Sequence, residues 1–208
     1  MKIIDISPLI DEHLAVWPGD VEFSREVSCD VKQGDHFGLS SFTTTTHLGA
    51  HTDAPNHYLA DGEGIESVDL EKYYGDCQVV SVDVAAGCRI EKSDLKTDIT
   101  STRVLLRTDS FPDRTTFNTD FNALSVGLVS HLQDMGVILV GIDTPSVDVY
   151  ACKELLAHHQ ISTTNMAILE GIDLREVADG NYTLCALPLK IAHSDSSPVR
   201  AVLLDPNS

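Results

Sequence analysis

Between Thr43 and Tyr58 the chain reads Thr-Thr-Thr-Thr-His-Leu-Gly-Ala-His-Thr-Asp-Ala-Pro-Asn-His-Tyr. Three of its nine histidines, His47, His51 and His57, fall within eleven residues, with Asp53 between them. Imidazole and carboxylate at this density are what a zinc-type ion requires, because both offer lone pairs at neutral pH. His47, His51, Asp53 and His57 all occupy odd positions. Alternate side chains of an extended chain share a face, so all four could project into one cavity. Full extension would spread them over roughly 33 Å at about 3.3 Å per step, so the chain must fold back. Gly49 permits unusual backbone angles and Pro55 fixes one. A single helical turn could instead join His47 to His51. One aspartate among histidines suggests two metal ions, since a carboxylate can bridge ions about 3.5–4 Å apart. The competing reading is a solvated loop or hydrogen-bonded core histidines, and the density of the cluster argues against it.

A second set of ligand-type residues lies farther on. Met166 to Leu169 is a short apolar run that ends at Glu170-Gly171. A carboxylate at the end of a buried strand is costly unless paired or metal-bound. His158 and His159 stand twelve and eleven residues earlier, at the end of a short helix expected over Cys152 to His159. Adjacent helical residues point about 100° apart, so one of the pair is expected to face the site. Trp17, the only tryptophan, sits beside the Pro18-Gly19 turn. It reads either as a core or interface anchor or as an aromatic wall for a flat substrate.

The elements that must position these groups are mostly strands. Apolar and alternating runs predict strands at Lys2–Ser7, Val21–Cys29, Leu39–Thr46, Cys77–Val84, Arg103–Arg107, Val137–Ile142, Tyr182–Leu189 and Pro198–Leu204. Leu124 to Met135 has helical periodicity, with Gly136 at its end. Ser110 to Asn122 is polar and irregular and reads as a surface excursion. Asp143-Thr144-Pro145-Ser146-Val147-Asp148 is a polar loop at a strand end, a place where α/β proteins commonly carry function. Mixed order without repeats or linkers predicts one α/β domain over 1–208, with a curved mixed sheet and few flanking helices.

Composition narrows the setting. The 208 residues are 42% hydrophobic, enough for one sizeable core. The formal net charge of −18 disfavours nucleic acid and anionic membrane as partners and concentrates cations nearby. No apolar run is long enough to span a bilayer. The start Met1-Lys2-Ile3-Ile4-Asp5-Ile6-Ser7 lacks a signal-peptide pattern, so a cytoplasmic location is expected. Five scattered cysteines do not suggest a disulfide framework, and Cys77 and Cys185 read as buried small hydrophobes.

The stretch His47-Leu48-Gly49-Ala50-His51-Thr52-Asp53-Ala54-Pro55-Asn56-His57 resembles the H-x-G-[TA]-H-x-D-x-P-x-H signature of the cyclase family of metal-dependent hydrolases. Ala50 stands where many relatives have threonine. The resemblance extends over nearly the whole length, through Val16–Asp20, Gly141–Ser146, Ala167–Gly171, Ala186–Lys190 and Ser197–Leu203. The tryptophan turn and the C-terminal segments resemble most the branch that hydrolyses aryl formamides. The resemblance implies a swivelling β/β/α-like fold and a binuclear zinc site with two ions per subunit. His47, His51 and Asp53 would hold one zinc. Asp53 would bridge to the second, completed by His158 and Glu170. The family's histidine stands twelve residues before its glutamate, which selects His158 over His159. His57 would donate and accept protons without ligating metal, and Trp17 would contact substrate. His13, His36, His131 and His193 match no family ligand.

The activity implied is hydrolysis of N-formyl-L-kynurenine to L-kynurenine and formate in tryptophan degradation, in a homodimer. Hydroxide from a zinc-held water, whose pKa falls to about 7, would attack the formyl carbon. His57 would pass a proton to the aniline-type leaving group. The rival activity is opening of a cyclic amide such as isatin. A metal-binding protein without turnover is a third reading, and manganese or cobalt would accept the same ligands.

Overall fold

Strands that are apolar at consecutive positions need cover on both faces. Arg103–Arg107 (RVLLR) is such a strand. A computed structural model, which describes residues 2–205, shows how that cover is provided. Residue 1 and residues 206–208 of the domain expected over 1–208 lie outside the described residues. The strands are β1 (Lys2–Asp5), β2 (Ser24–Cys29), β3 (Leu39–Thr43), β4 (His51–Asp53), β5 (Tyr74–Ser81), β6 (Arg89–Ile90), β7 (Arg103–Arg107) and β8 (Ala123–Leu124). They continue with β9 (Leu139–Ile142), β10 (Ala167–Leu169), β11 (Gly180–Cys185), β12 (Ser196–Pro198) and β13 (Val202–Asp205). Helix α1 spans Val126–Asp134 and α2 spans Leu156–Thr164.

One seven-stranded mixed sheet runs in the order β1-β13-β11-β5-β7-β9-β10. The four strands β5, β7, β9 and β10 are parallel, and the other three add antiparallel. Alternate side chains of β7 divide the core between the two faces, as the pleat requires. Val104 and Leu106 join Val140, Ile142 and Ile168 beneath Leu128, Leu132 and Ile161 of the two helices. Leu105 joins Leu139, Leu169, Leu184 and Leu203 on the opposite face, where Ile6, Ala50 and Val199 cover them. That second cover is built from loops and the small β4–β12 ladder.

Several elements differ from the sequence expectation. The helix expected over Cys152–His159 forms later, over Leu156–Thr164, because Leu155 is left-handed (φ 47°) and ends the preceding turn. His158 and His159 therefore sit in its first turn. The strand expected over Pro198–Leu204 divides: Ser196–Pro198 pairs with β4, and Val202–Asp205 pairs with β1 and β11. The strand expected over Tyr182–Leu189 stops at Cys185, where its pairing with β5 and β13 ends. Cys77 is buried as expected, but Cys185 is only half-buried. Ser110–Asn122 is irregular yet turns inward, burying Phe111 and Phe121.

Candidate metal centre

The histidine stretch folds back as its spacing demands, by way of strand and turn and not through a helical link from His47 to His51. Gly49 takes a left-handed angle (φ 58°), and His51–Asp53 then runs as β4. Pro55–His57 closes the segment as a single 3-10 turn. Beside β4 lies the end of β10. The amide of His51 donates to the Glu170 carbonyl at 3.1 Å, and the amide of Glu170 donates back to His51 at 2.9 Å. The Thr52 hydroxyl donates to the Ile168 carbonyl at 2.5 Å and locks the two strands in register. Glu170 thus stands at the carboxyl end of the parallel strands, where α/β sheets place their ligands.

Five side chains converge there. Asp53 is buried, and its Oδ1 lies 3.1 Å from His47 Nδ1 and 3.6 Å from His51 Nε2. Its other oxygen, Oδ2, lies 3.3 Å from His158 Nε2. Glu170 spans the same gap, with Oε2 at 3.1 Å from His51 Nε2 and Oε1 at 3.7 Å from His158 Nε2. The Val147 amide donates to Glu170 Oε1 at 2.7 Å and holds that carboxylate in place. His159 is exposed on the far side of α2, so His158 is the one that faces the site.

These residues fit metal. Asp53 Oδ1 and Oδ2, His51 Nε2 and His158 Nε2 are all buried with no hydrogen-bond partner. Four such atoms aimed at one another would be strongly destabilising without a cation between them. Ligand atoms around a tetrahedral zinc, with bonds of about 2.1 Å, stand about 3.4 Å apart, which matches the spacings above. The outward ring nitrogens are also arranged for ligation. His51 Nδ1 contacts the Gly49 carbonyl at 2.9 Å, and His158 Nδ1 contacts Asp148 Oδ2 at 2.9 Å. A proton held on Nδ1 leaves the Nε2 lone pair for metal. Three overlapping sets could hold an ion: His47, His51 and Asp53; Asp53, His57 and His158; and His47, His57 and Asp195.

In the protein without metal, charge in the cluster is balanced by protons. Burial opposes a charge on His47, but the adjacent Asp53 carboxylate, with Glu170 and Asp195 nearby, outweighs this and raises its pKa to about 9. His158 is likewise opposed by burial and raised to about 10 by Asp148 and Asp53. Burial would raise Asp53, yet the imidazoles of His158 and His47 beside it hold it well below the usual carboxylate range. His57 behaves differently. Burial lowers its pKa, so it stays a neutral base at pH 7. Its Nδ1 is 3.8 Å from Asp195, and its ring is 4.4 Å from that of His47.

A cavity of about 350 Å³ opens on the cluster, lined among others by Trp17, His57, Phe111, Arg114 and Phe117. Trp17 packs edge-on against Phe117 at 5.3 Å and lies 5.1 Å from Tyr150, so it is both an anchor and a cavity wall. Sequence reading did not single out Asp148, Asp195 or Arg114. Asp148 ties the site together: it receives the Ala157 and His158 amides of α2, contacts the His158 ring and pairs with Arg89 at 2.8 Å. Its position in the polar loop after β9 was the one available signal. Asp195 holds His47 Nε2 at 3.3 Å from a position 148 residues away in sequence. His13, His36 and His193 are exposed and His131 is half-buried, apart from the cluster.

The Cyclase family model matches residues 4–149, and the chain belongs to the cyclase family. It is 38% identical over 200 residues to kynurenine formamidase from Geobacillus thermodenitrificans (strain NG80-2), covering 96% of each chain. A solved structure described as a "predicted metal-dependent hydrolase" from Bacillus stearothermophilus superposes with a TM-score of 0.82 at 25% identity, over 97% of each chain. Isatin hydrolase A from Labrenzia aggregata shares the fold, with a TM-score of 0.78 at 19% identity over 97% of this chain and 93% of the other.

Proposed function

We propose that this protein hydrolyses N-formyl-L-kynurenine to L-kynurenine and formate, using two zinc ions per subunit. The observation that carries the binuclear reading is the buried Asp53 carboxylate, with one oxygen toward His47 and His51 and the other toward His158. His47, His51 and Asp53 would hold one ion, and Asp53, His158 and Glu170 the other. Zinc so held supplies Lewis acidity, which acidifies water toward neutral pH and polarises an amide carbonyl. The 38% identity to a kynurenine formamidase over nearly the full length supports the substrate.

The chain's own residues supply the rest. His57 is the group expected to move protons. It is neutral at pH 7, it lines the cavity, and neither of its nitrogens makes a close hydrogen bond in the cluster. It takes the proton released by the attacking water and delivers it to the aniline nitrogen as the C–N bond breaks. The aromatic wall of Trp17, Phe111 and Phe117 suits the aryl ring and keeps bulk water from it. The test is metal analysis joined to a formate-release assay on N-formyl-L-kynurenine. Two zinc ions per chain and rapid formate release are expected; metal without formate release would refute the activity.

The same proposal includes a homodimer. The β2–β3 ribbon supports it. Its Phe42 and Val27 share a face through the Arg25–Phe42 and Val27–Ser40 pairs and are more than half exposed, and a two-stranded ribbon is marginal without further packing. An identical ribbon from a second copy would cover that apolar face under twofold symmetry. Phe42→Glu should then move the particle to monomer mass in analytical ultracentrifugation. A wild-type chain already at monomer mass would dismiss the dimer. A cytoplasmic setting completes the reading, and it accords with five free cysteines.

A further inference from the structure

Arg114 is the only lysine or arginine among the described residues that line the cavity. Arg114 is half-buried, yet no carboxylate lies within ion-pair distance of its guanidinium among the described residues. Its hydrogen-bond partners are neutral, and the Asp143 and Asp173 carboxylates act on it only from beyond ion-pair distance. Nη2 donates to the Ile172 carbonyl at 2.7 Å and Nη1 to the Gly171 carbonyl at 3.4 Å, and the Phe111 ring faces the guanidinium at 5.6 Å. The Nε–H is buried and has no acceptor. A half-buried cation whose Nε–H is buried without an acceptor is costly in the free protein. The cost is recovered if an anionic group of the ligand arrives, because guanidinium binds carboxylate through charge-assisted, paired hydrogen bonds.

We infer that Arg114 binds the α-carboxylate of the substrate's amino-acid tail and so selects amino-acid-bearing aryl formamides over neutral ones. This rests on the formamidase reading above. The metal cluster and Arg114 line one cavity of about 350 Å³, which suits a single aromatic amino acid with its amide at the cluster and its tail at the guanidinium. The carbonyls that Arg114 grips belong to the two residues after Glu170, so the tail site and the metal site share one rigid segment. A cyclic amide such as isatin carries no carboxylate and would leave the Nε–H without an acceptor.

The experiment compares N-formyl-L-kynurenine with 2-formamidoacetophenone, which keeps the aryl formamide and the ketone but lacks the amino-acid tail. In the wild-type protein kcat/KM should favour the tailed substrate by about 10- to 100-fold, chiefly through KM, the range expected for one charged hydrogen-bonding pair. Arg114→Gln should erase most of that ratio, and Arg114→Lys should restore part of it. A wild-type ratio near one would overturn the assignment, whether or not any variant folds. So would a ratio that survives in Arg114→Gln, since loss on both substrates alike would mark Arg114 as a clamp for residues 171 and 172. Absence of turnover on either substrate would instead sink the formamidase reading itself.

Discussion

At the scale of the residue, the centre depends on which nitrogen of each histidine is free. Asp148 contacts His158 Nδ1 and thereby turns Nε2 toward Asp53 and Glu170. Asp148→Ala should raise the zinc dissociation constant about 10- to 100-fold, measured by competition with a chromophoric chelator. Unchanged affinity would show that the imidazole is held by other contacts. His57 poses the opposite case. Three-residue sets that include it could hold an ion, but its place on the cavity wall and its lowered pKa favour a proton-transfer role. His57→Ala is expected to retain two metal ions while kcat falls by about 10²–10⁴-fold. Loss of one ion in that variant would make His57 a ligand.

At the scale of the element, the centre is a junction between β4, β10 and the start of α2. The closest approach is at Gly171, whose φ of 65° favours glycine and where a Cβ would stand 2.1 Å from the Gly49 carbonyl oxygen. Gly171→Ala must shift either the His51 strand or the Glu170 strand. The left-handed angle alone costs a non-glycine residue about 1–2 kcal/mol, and the backbone collision adds to it. A fall in Tm together with weakened metal binding is expected by calorimetry and metal titration. Retention of both would mean that the two strands yield without moving their ligands. Ser125 shows an element that was readable in advance. Its hydroxyl accepts the Leu128 amide at 3.0 Å and starts α1 within the expected segment.

At the scale of the whole molecule, metal and protons compete for the same buried cluster. His47 and His158 have raised pKa values of about 9 and about 10 in the metal-free protein. A raised histidine pKa stabilises the fold fully below the unfolded value, near 6.5, and that contribution is lost as pH rises through 9 to 10. Metal binding needs the neutral imidazoles, so it strengthens over the same interval. The difference in Tm between metal-loaded and chelator-treated protein should therefore widen from pH 6.5 to pH 9. A difference that stays constant or narrows would contradict a histidine-ligated centre. The formal charge of −18 works in the same direction for cation uptake, and added salt should weaken that long-range part.

The chain by itself determined the ligand types, the odd-numbered spacing of His47, His51 and Asp53, and the buried strands that carry them. These are local properties: periodicity, turn chemistry and the cost of a carboxylate beside an apolar run are all written along the backbone. The choice of His158 over His159 needed the tertiary structure or a resemblance, because the helix begins at Leu156, four residues later than expected. Asp195, Asp148 and Arg114 were not legible as site residues. Each is an ordinary polar residue in an irregular segment, and each reaches the centre only because distant loops are packed against one sheet end. Asp195 lies next to His47 through the β4–β12 pairing, a contact between segments that share no local signal. Ser110–Asn122 turned inward for the same reason. Phe117 and Phe121 stand four apart yet form no helix, and the segment turns inward where Phe111 and Phe117 wall the cavity and Phe121 enters the core.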